Sequence, residues 1–145
     1  RQVARRCLWW GGGLGLAFGC TYLVAMGPIA KSFTDHAPVI TAVLSLTLWV
    51  AIIQPLNAMV FIWDGIFIGA NDTLYLFGAM ALASFAIFLP ATLVSVHLLG
   101  LGLQGAWMGY NGLMVGRFLT LGLRFRGQAW MRTFAAHDSG HEAQA

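Results

Sequence analysis

The chain has 145 residues, 59% hydrophobic and only 9% charged, with a formal net charge of +3 and a mean hydropathy of +0.74. Soluble domains carry about 25% charged and roughly 45–50% apolar residues, so a water-soluble globular fold is excluded. The eight basic residues are too few, and too confined to the edges of apolar runs, to track a phosphate backbone, so no nucleic-acid partner is expected.

A helix crosses the hydrocarbon core with roughly 20 mainly apolar residues, and four stretches qualify in chain order. The first runs from Cys7 to Ile29, behind Arg1, Arg5 and Arg6. Cys7 and Cys20 both lie inside it as small packing residues, which implies no disulfide framework. The polar break Lys31-Ser32-Phe33-Thr34-Asp35-His36 follows, and Pro38 is placed to open the second helix. That helix runs to Ala70, longer than the core requires, so it should tilt, kink or project. Asn71-Asp72-Thr73 is a tight polar turn. The third span covers Leu74 to Leu98, with His97 at the membrane interface and no role assigned to it. After the Gly100-Leu101-Gly102 turn, the fourth covers Leu103 to Leu123. Residues 131–145 read as a cytoplasmic, disordered tail. Its His137 and His141 are solvated residues of that tail, so no metal site is expected. The expected fold is an all-α membrane protein with four transmembrane helices.

The basic residues orient this bundle. An even number of spans puts Arg1, Arg5 and Arg6 on the same side as Arg124, Arg126 and Arg132, and Arg117 snorkels toward that side. Only Lys31 opposes them. The positive-inside rule makes the Arg-rich side, and with it both chain ends, cytoplasmic. Glycines recur at every fourth residue: Gly11, Gly15 and Gly19; Gly65 and Gly69; Gly105 and Gly109; Gly112 and Gly116. Small residues at this spacing let helix backbones approach closely in lipid.

The second span holds the polar chemistry, in QPLNAMVFIWDGIFIG. An acid within a membrane helix faces a cavity, a proton relay or a partner. Asn57 and Asp64 are seven residues apart and share nearly one face, with Gln54 about a turn earlier. Pro55 lacks an amide hydrogen and should bend the helix, freeing the carbonyl of Ala51; Pro90 should do the same in the third span, freeing that of Ala86. Two readings stay open. Gln54, Asn57 and Asp64 line a transport cavity in which Asp64 handles protons, or Asp64 pairs with Arg117, the one buried cation on offer.

The run QPLNAMVFIWDGIFIGANDTLYL, followed by GLGLQGAWMG and RFLTLGLRFR, resembles the DinF-like branch of the MATE (multidrug and toxic compound extrusion) transporters. The preceding KSFTDHAPVI is similar to the loop after the ninth span of these proteins. The resemblance implies that the chain is the last four of twelve helices, part of the C-terminal six-helix lobe, and that eight N-terminal helices of the same protein are its partners. The opening on Arg1 without a signal-peptide pattern agrees with a piece of something longer. The implied activity is secondary active multidrug efflux from the plasma (inner) membrane. Organic, cationic amphipathic substrates would leave in exchange for a coupling cation, without other cofactors. In the NorM-like branch an acid on the tenth span helps bind that cation. Aligned through Gly65, Gly69 and Asp72, its position falls on Asn57, which favours H+ over Na+ as the coupling ion.

Two alternatives stand beside the antiporter. A lipid-linked precursor flippase of the same superfamily needs several cations in a wide cavity, and this chain offers only Arg117 within the membrane. A non-transporting four-helix assembly subunit would have to be complete by itself. Nothing in the sequence points to an enzyme.

Overall fold

The computed structural model describes residues 2–127, and every regular element among them is helical. We number the helices α1 (Gln2–Phe33), α2 (Ala37–Gly69), α3 (Thr73–Leu98) and α4 (Gly102–Arg126). The expected tail, 131–145, lies outside the described residues.

Three of the helices, α1, α2 and α3, are long and apolar enough to cross a membrane. The fourth has 25 residues, about 38 Å at 1.5 Å per residue, and so has the length for a core of about 30 Å. Its hydropathy is diluted by Gln104, Asn111, Arg117 and a series of glycines. Three of the four expected spans therefore carry both signals and the fourth carries length alone.

The breaks between helices fall where turn chemistry allows. His36 is extended at φ −74°, ψ 103°, and Pro38 stands in the first turn of α2. Asn71 takes a left-handed φ of 57°, which Asn tolerates better than most residues. Gly100 and Gly102, at φ 64° and 50°, turn the chain where a side chain would be strained.

Three prolines lie in helix interiors, Pro28 in α1, Pro55 in α2 and Pro90 in α3, and the last two are accommodated differently. Pro55 lies inside an unbroken α2. Around Pro90 the helix widens: Ala83–Phe88 and Val94–Leu98 are π-helical, flanking the α-helical Leu89–Leu93. The Leu89 amide bonds back five residues to the Ser84 carbonyl. Wider turns let a helix pass a residue that cannot donate.

Helix α1 packs along α2, while α4 packs against both α2 and α3. The core sits among α2, α3 and α4, with Val60, Phe67 and Leu121 fully buried and Ala79, Ala83, Leu113 and Met114 around them. The buried residues of α1 are Gly11, Gly12, Gly15, Gly19 and Ala30, and its far side exposes Trp9, Trp10 and Val24. Cys7 and Cys20 are free thiols on that exposed side, so neither fills the packing role expected of it within the described residues. A surface this apolar suits lipid or further helices.

Candidate functional site

Among the described residues two ion pairs hold α4: Asp64–Arg117 joins it to α2, and Asp72–Arg124 joins it to the turn between α2 and α3. The Arg117 Nη2 donates to both carboxylate oxygens of Asp64, at 2.6 and 2.7 Å. Arg124 meets Asp72 with a two-nitrogen fork, Nε to Oδ2 at 2.9 Å and Nη2 to Oδ1 at 3.1 Å. The partners are 53 and 52 positions apart, a nearly constant offset, so the two helices run parallel in fixed register.

The pairs differ in completeness. Arg124 also lies over the Tyr75 ring, 4.5 Å from its centroid, and the Tyr75 hydroxyl donates to the Thr120 carbonyl at 2.8 Å. The Asp72 hydrogen bond lifts the Arg124 pKa above its ordinary value, so that guanidinium stays charged. The inner pair is deeper, its Arg117 and Asp64 side chains only 7% and 17% exposed. Only one Arg117 nitrogen reaches the acid, and the buried Nε has no partner. A planar guanidinium normally engages a carboxylate through two nitrogens, so the inner contact is the less satisfied of the two.

Of the residues singled out by sequence, Asp64 and Arg117 are brought together. Asn57 is buried and its Oδ1 is unpartnered, as is the Oδ1 of Asn111. The 53-residue offset of the inner pair places Asn57 level with Tyr110, two turns away. Gln54 is half-buried, and its backbone faces α1: a methyl on Gly15 would sit 2.7 Å from the Gln54 carbonyl oxygen and from Pro55 Cα. The Ala51 carbonyl freed by Pro55 does not open onto a cavity. Gly19 covers it so closely that a methyl there would lie 2.6 Å from the oxygen, a geometry suited to Cα–H···O contact.

The glycine repeats divide in the same way. Gly105, Gly109 and Gly116 admit Ser95, Thr92 and Ile87 of α3 against α4, whereas a methyl on Gly65 or Gly69 would meet nothing within 4 Å. Sequence reasoning missed the outer pair, taking Asp72 for a turn residue and Arg124 for a topology marker. The signal available was spacing: Arg117 and Arg124 are seven apart, matching Asp64 and Asp72 at eight.

Three long apolar helices under an apolar exterior, with a buried Asp–Arg pair between α2 and α4, make this a multi-pass membrane protein. The sequence model of the MatE family matches residues 1–94, and the chain belongs to that family, whose members are transporters and not enzymes. It is 30% identical over 131 residues to the Arabidopsis thaliana protein DETOXIFICATION 44, chloroplastic, covering 90% of this chain and 23% of the relative. It is also 30% identical over 105 residues to DETOXIFICATION 45, chloroplastic, of the same plant, covering 69% of this chain and 17% of the relative. The chain thus spans less than a quarter of the length of these curated relatives. No solved structure matches it.

Proposed function

We propose that this chain forms the last four of twelve helices of a DinF-like transporter that exports organic, cationic amphipathic compounds in exchange for protons. The observation that supports this most is the buried, half-satisfied Asp64–Arg117 pair in a chain of the MatE family. Protonating Asp64 cancels its charge and leaves Arg117 without a counter-ion. A buried charge that loses its partner costs several kcal/mol, so the proton disfavours the closed α2–α4 contact and favours an arrangement that hydrates Arg117. A proton binding two arrangements unequally shifts their populations, which alternating access requires. Asn57 adds an unpartnered acceptor two turns away, and Gln54 contributes polar lining beside the α1 seam. An amide at position 57 supplies no charge for a sodium ion, which favours the proton.

The Arg-rich bundle end faces the cytoplasm of a plasma membrane in this reading. A second reading of location, an organellar membrane, is favoured by the word chloroplastic in both relatives' names. The flippase alternative remains the weaker one, since Arg117 is neutralised by Asp64 and leaves no cluster of membrane cations for a pyrophosphate.

The test is transport by the purified full-length protein in liposomes, following a fluorescent cationic amphiphile. A pH gradient should drive accumulation that a protonophore abolishes and a sodium gradient does not replace. Movement driven by sodium alone would overturn the coupling, and no movement under either gradient would overturn the substrate class.

A further inference from the structure

We infer that the Arg-rich end of the bundle is a binding site for an anionic glycerophospholipid. A cavity of about 560 Å³ opens there between α1, α2 and α4, with Gln2, Arg5 and Arg126 at its mouth and Leu8, Met59 and Phe125 on its wall. A second hollow of about 350 Å³ shares Gln2, Arg5 and Trp9 and adds Arg6. Together they set three guanidinium-bearing residues around one opening. No described carboxylate pairs with any of the three: the described acids in ion pairs, Asp64 and Asp72, are taken by Arg117 and Arg124.

Two apolar grooves leave this opening. One, of about 490 Å³, runs along α1 past Trp9, Trp10, Gly13, Leu14 and Ala17. The other, of about 290 Å³, runs between α2 and α4 past Met59, Trp63, Phe118, Gly122 and Phe125, with Arg126 at its head. Trp9 lines both the first cavity and the α1 groove, while Met59, Phe125 and Arg126 line both that cavity and the second groove. A basic mouth that forks into two apolar grooves complements a phosphate carrying two acyl chains.

Charge and depth agree with this occupant. Basic pockets between membrane helices select anionic headgroups of the adjoining leaflet. Trp9 and Trp10, 77% and 81% exposed, have the amphipathic rings that settle at headgroup level. Arg5, Arg6 and Arg126 are exposed at the bundle end, where a lipid phosphate can meet them in charge-assisted hydrogen bonds while its acyl chains lie along the apolar grooves.

The experiment is native mass spectrometry of the full-length protein, released from detergent with phosphatidylglycerol, phosphatidylcholine or glycerol phosphate added at equal concentration. Retained phosphatidylglycerol, weaker phosphatidylcholine and no retained glycerol phosphate are expected. The double variant Arg5→Gln/Arg126→Gln should lose phosphatidylglycerol about ten-fold or more. Leu14→Trp, which fills the α1 groove and leaves the arginines in place, should weaken retention as well. Equal retention of both lipids, or an unchanged double variant, would overturn the site. Glycerol phosphate binding as well as the lipid would make it a free-phosphate site instead. A photo-reactive residue at Trp10 that crosslinks to protein and not to lipid would show the groove covered by the protein's own helices, and would overturn the proposal too.

Discussion

Along one side of α2, Gly15 and Gly19 of α1 close over the backbone of Ala51, Gln54 and Pro55. Along the other side, α4 reaches it through Asp64–Arg117, and through Asp72–Arg124 it reaches the turn just beyond it. The first seam is steric: it depends on the absence of side chains and on close backbone approach, and no proton can switch it. The second depends on charge in a poorly hydrated interior, where removing a single charge reverses the sign of the contribution. The contrast assigns them different work. On the proposal made above, the glycine seam holds α1 and α2 as one pair, and the ion-pair seam is where α4 would change its relation to that pair.

The comparison breaks most severely if the inner pair is left half made. Arg117→Ala should destabilise the full-length protein by about 3–5 kcal/mol, because Asp64 stays buried without a counter-ion. The double change Asp64→Leu/Arg117→Met should recover most of that loss. Chemical denaturation in detergent, monitored by tryptophan fluorescence, would read both. Equal stability of the single and double variants would mean that the pair is hydrated.

Next in size is the steric seam. Gly19→Ala forces a methyl against the Ala51 carbonyl and should cost about 1–3 kcal/mol in the same assay. Gly65→Ala and Gly69→Ala, with open space around them, should leave stability unchanged or slightly raised. Similar losses at all three positions would erase the distinction between used and unused glycines.

The outer pair should matter least. Arg124→Lys keeps the charge but loses the fork and the stacking on Tyr75, and should cost on the order of 1 kcal/mol at this partly exposed position. From the arginine side this contribution has a simple pH dependence. The folded pKa of Arg124 is raised, so its stabilisation is fully present below the unfolded value and fades only as pH rises through the folded one. The stability gap between wild type and Arg124→Gln should therefore stay flat from about pH 6 to 9. A gap that closes on the alkaline side of that window would contradict a charged Arg124.

The helices were legible because lipid forces every backbone hydrogen bond to be made within a helix, so each break needs a polar or glycine signal. Pro38, Asn71-Asp72-Thr73 and Gly100-Leu101-Gly102 all mark true ends. Helix α1 continues past its apolar span at both ends, from Gln2 to Phe33, because the polar residues flanking the span carry no helix-breaking signal before Thr34. The glycines show the limit of periodicity. Gly65 and Gly69 have the spacing of Gly15 and Gly19, yet only the latter meet a neighbour, because spacing defines a face and not what lies opposite it. The same holds for Asp64: its depth was evident, while its partner depended on the α2–α4 register, a non-local property. Pro90 announced a lost hydrogen bond, but whether the helix bends or widens around it depends on the packing of α3 against Gly105, Gly109 and Gly116 of α4.

The most direct measurement is proton-driven efflux by the full-length protein carrying Asp64→Asn, compared with the charge-exchanged Asp64→Arg/Arg117→Asp, at matched amounts in the membrane. Asparagine at 64 keeps the shape and removes the carboxylate. Efflux should fall at least about ten-fold, the scale of 1.4 kcal/mol in coupling, and the exchanged pair should regain part of it. Efflux equal to wild type in Asp64→Asn would leave the α2–α4 pair as a structural clamp and place proton coupling elsewhere.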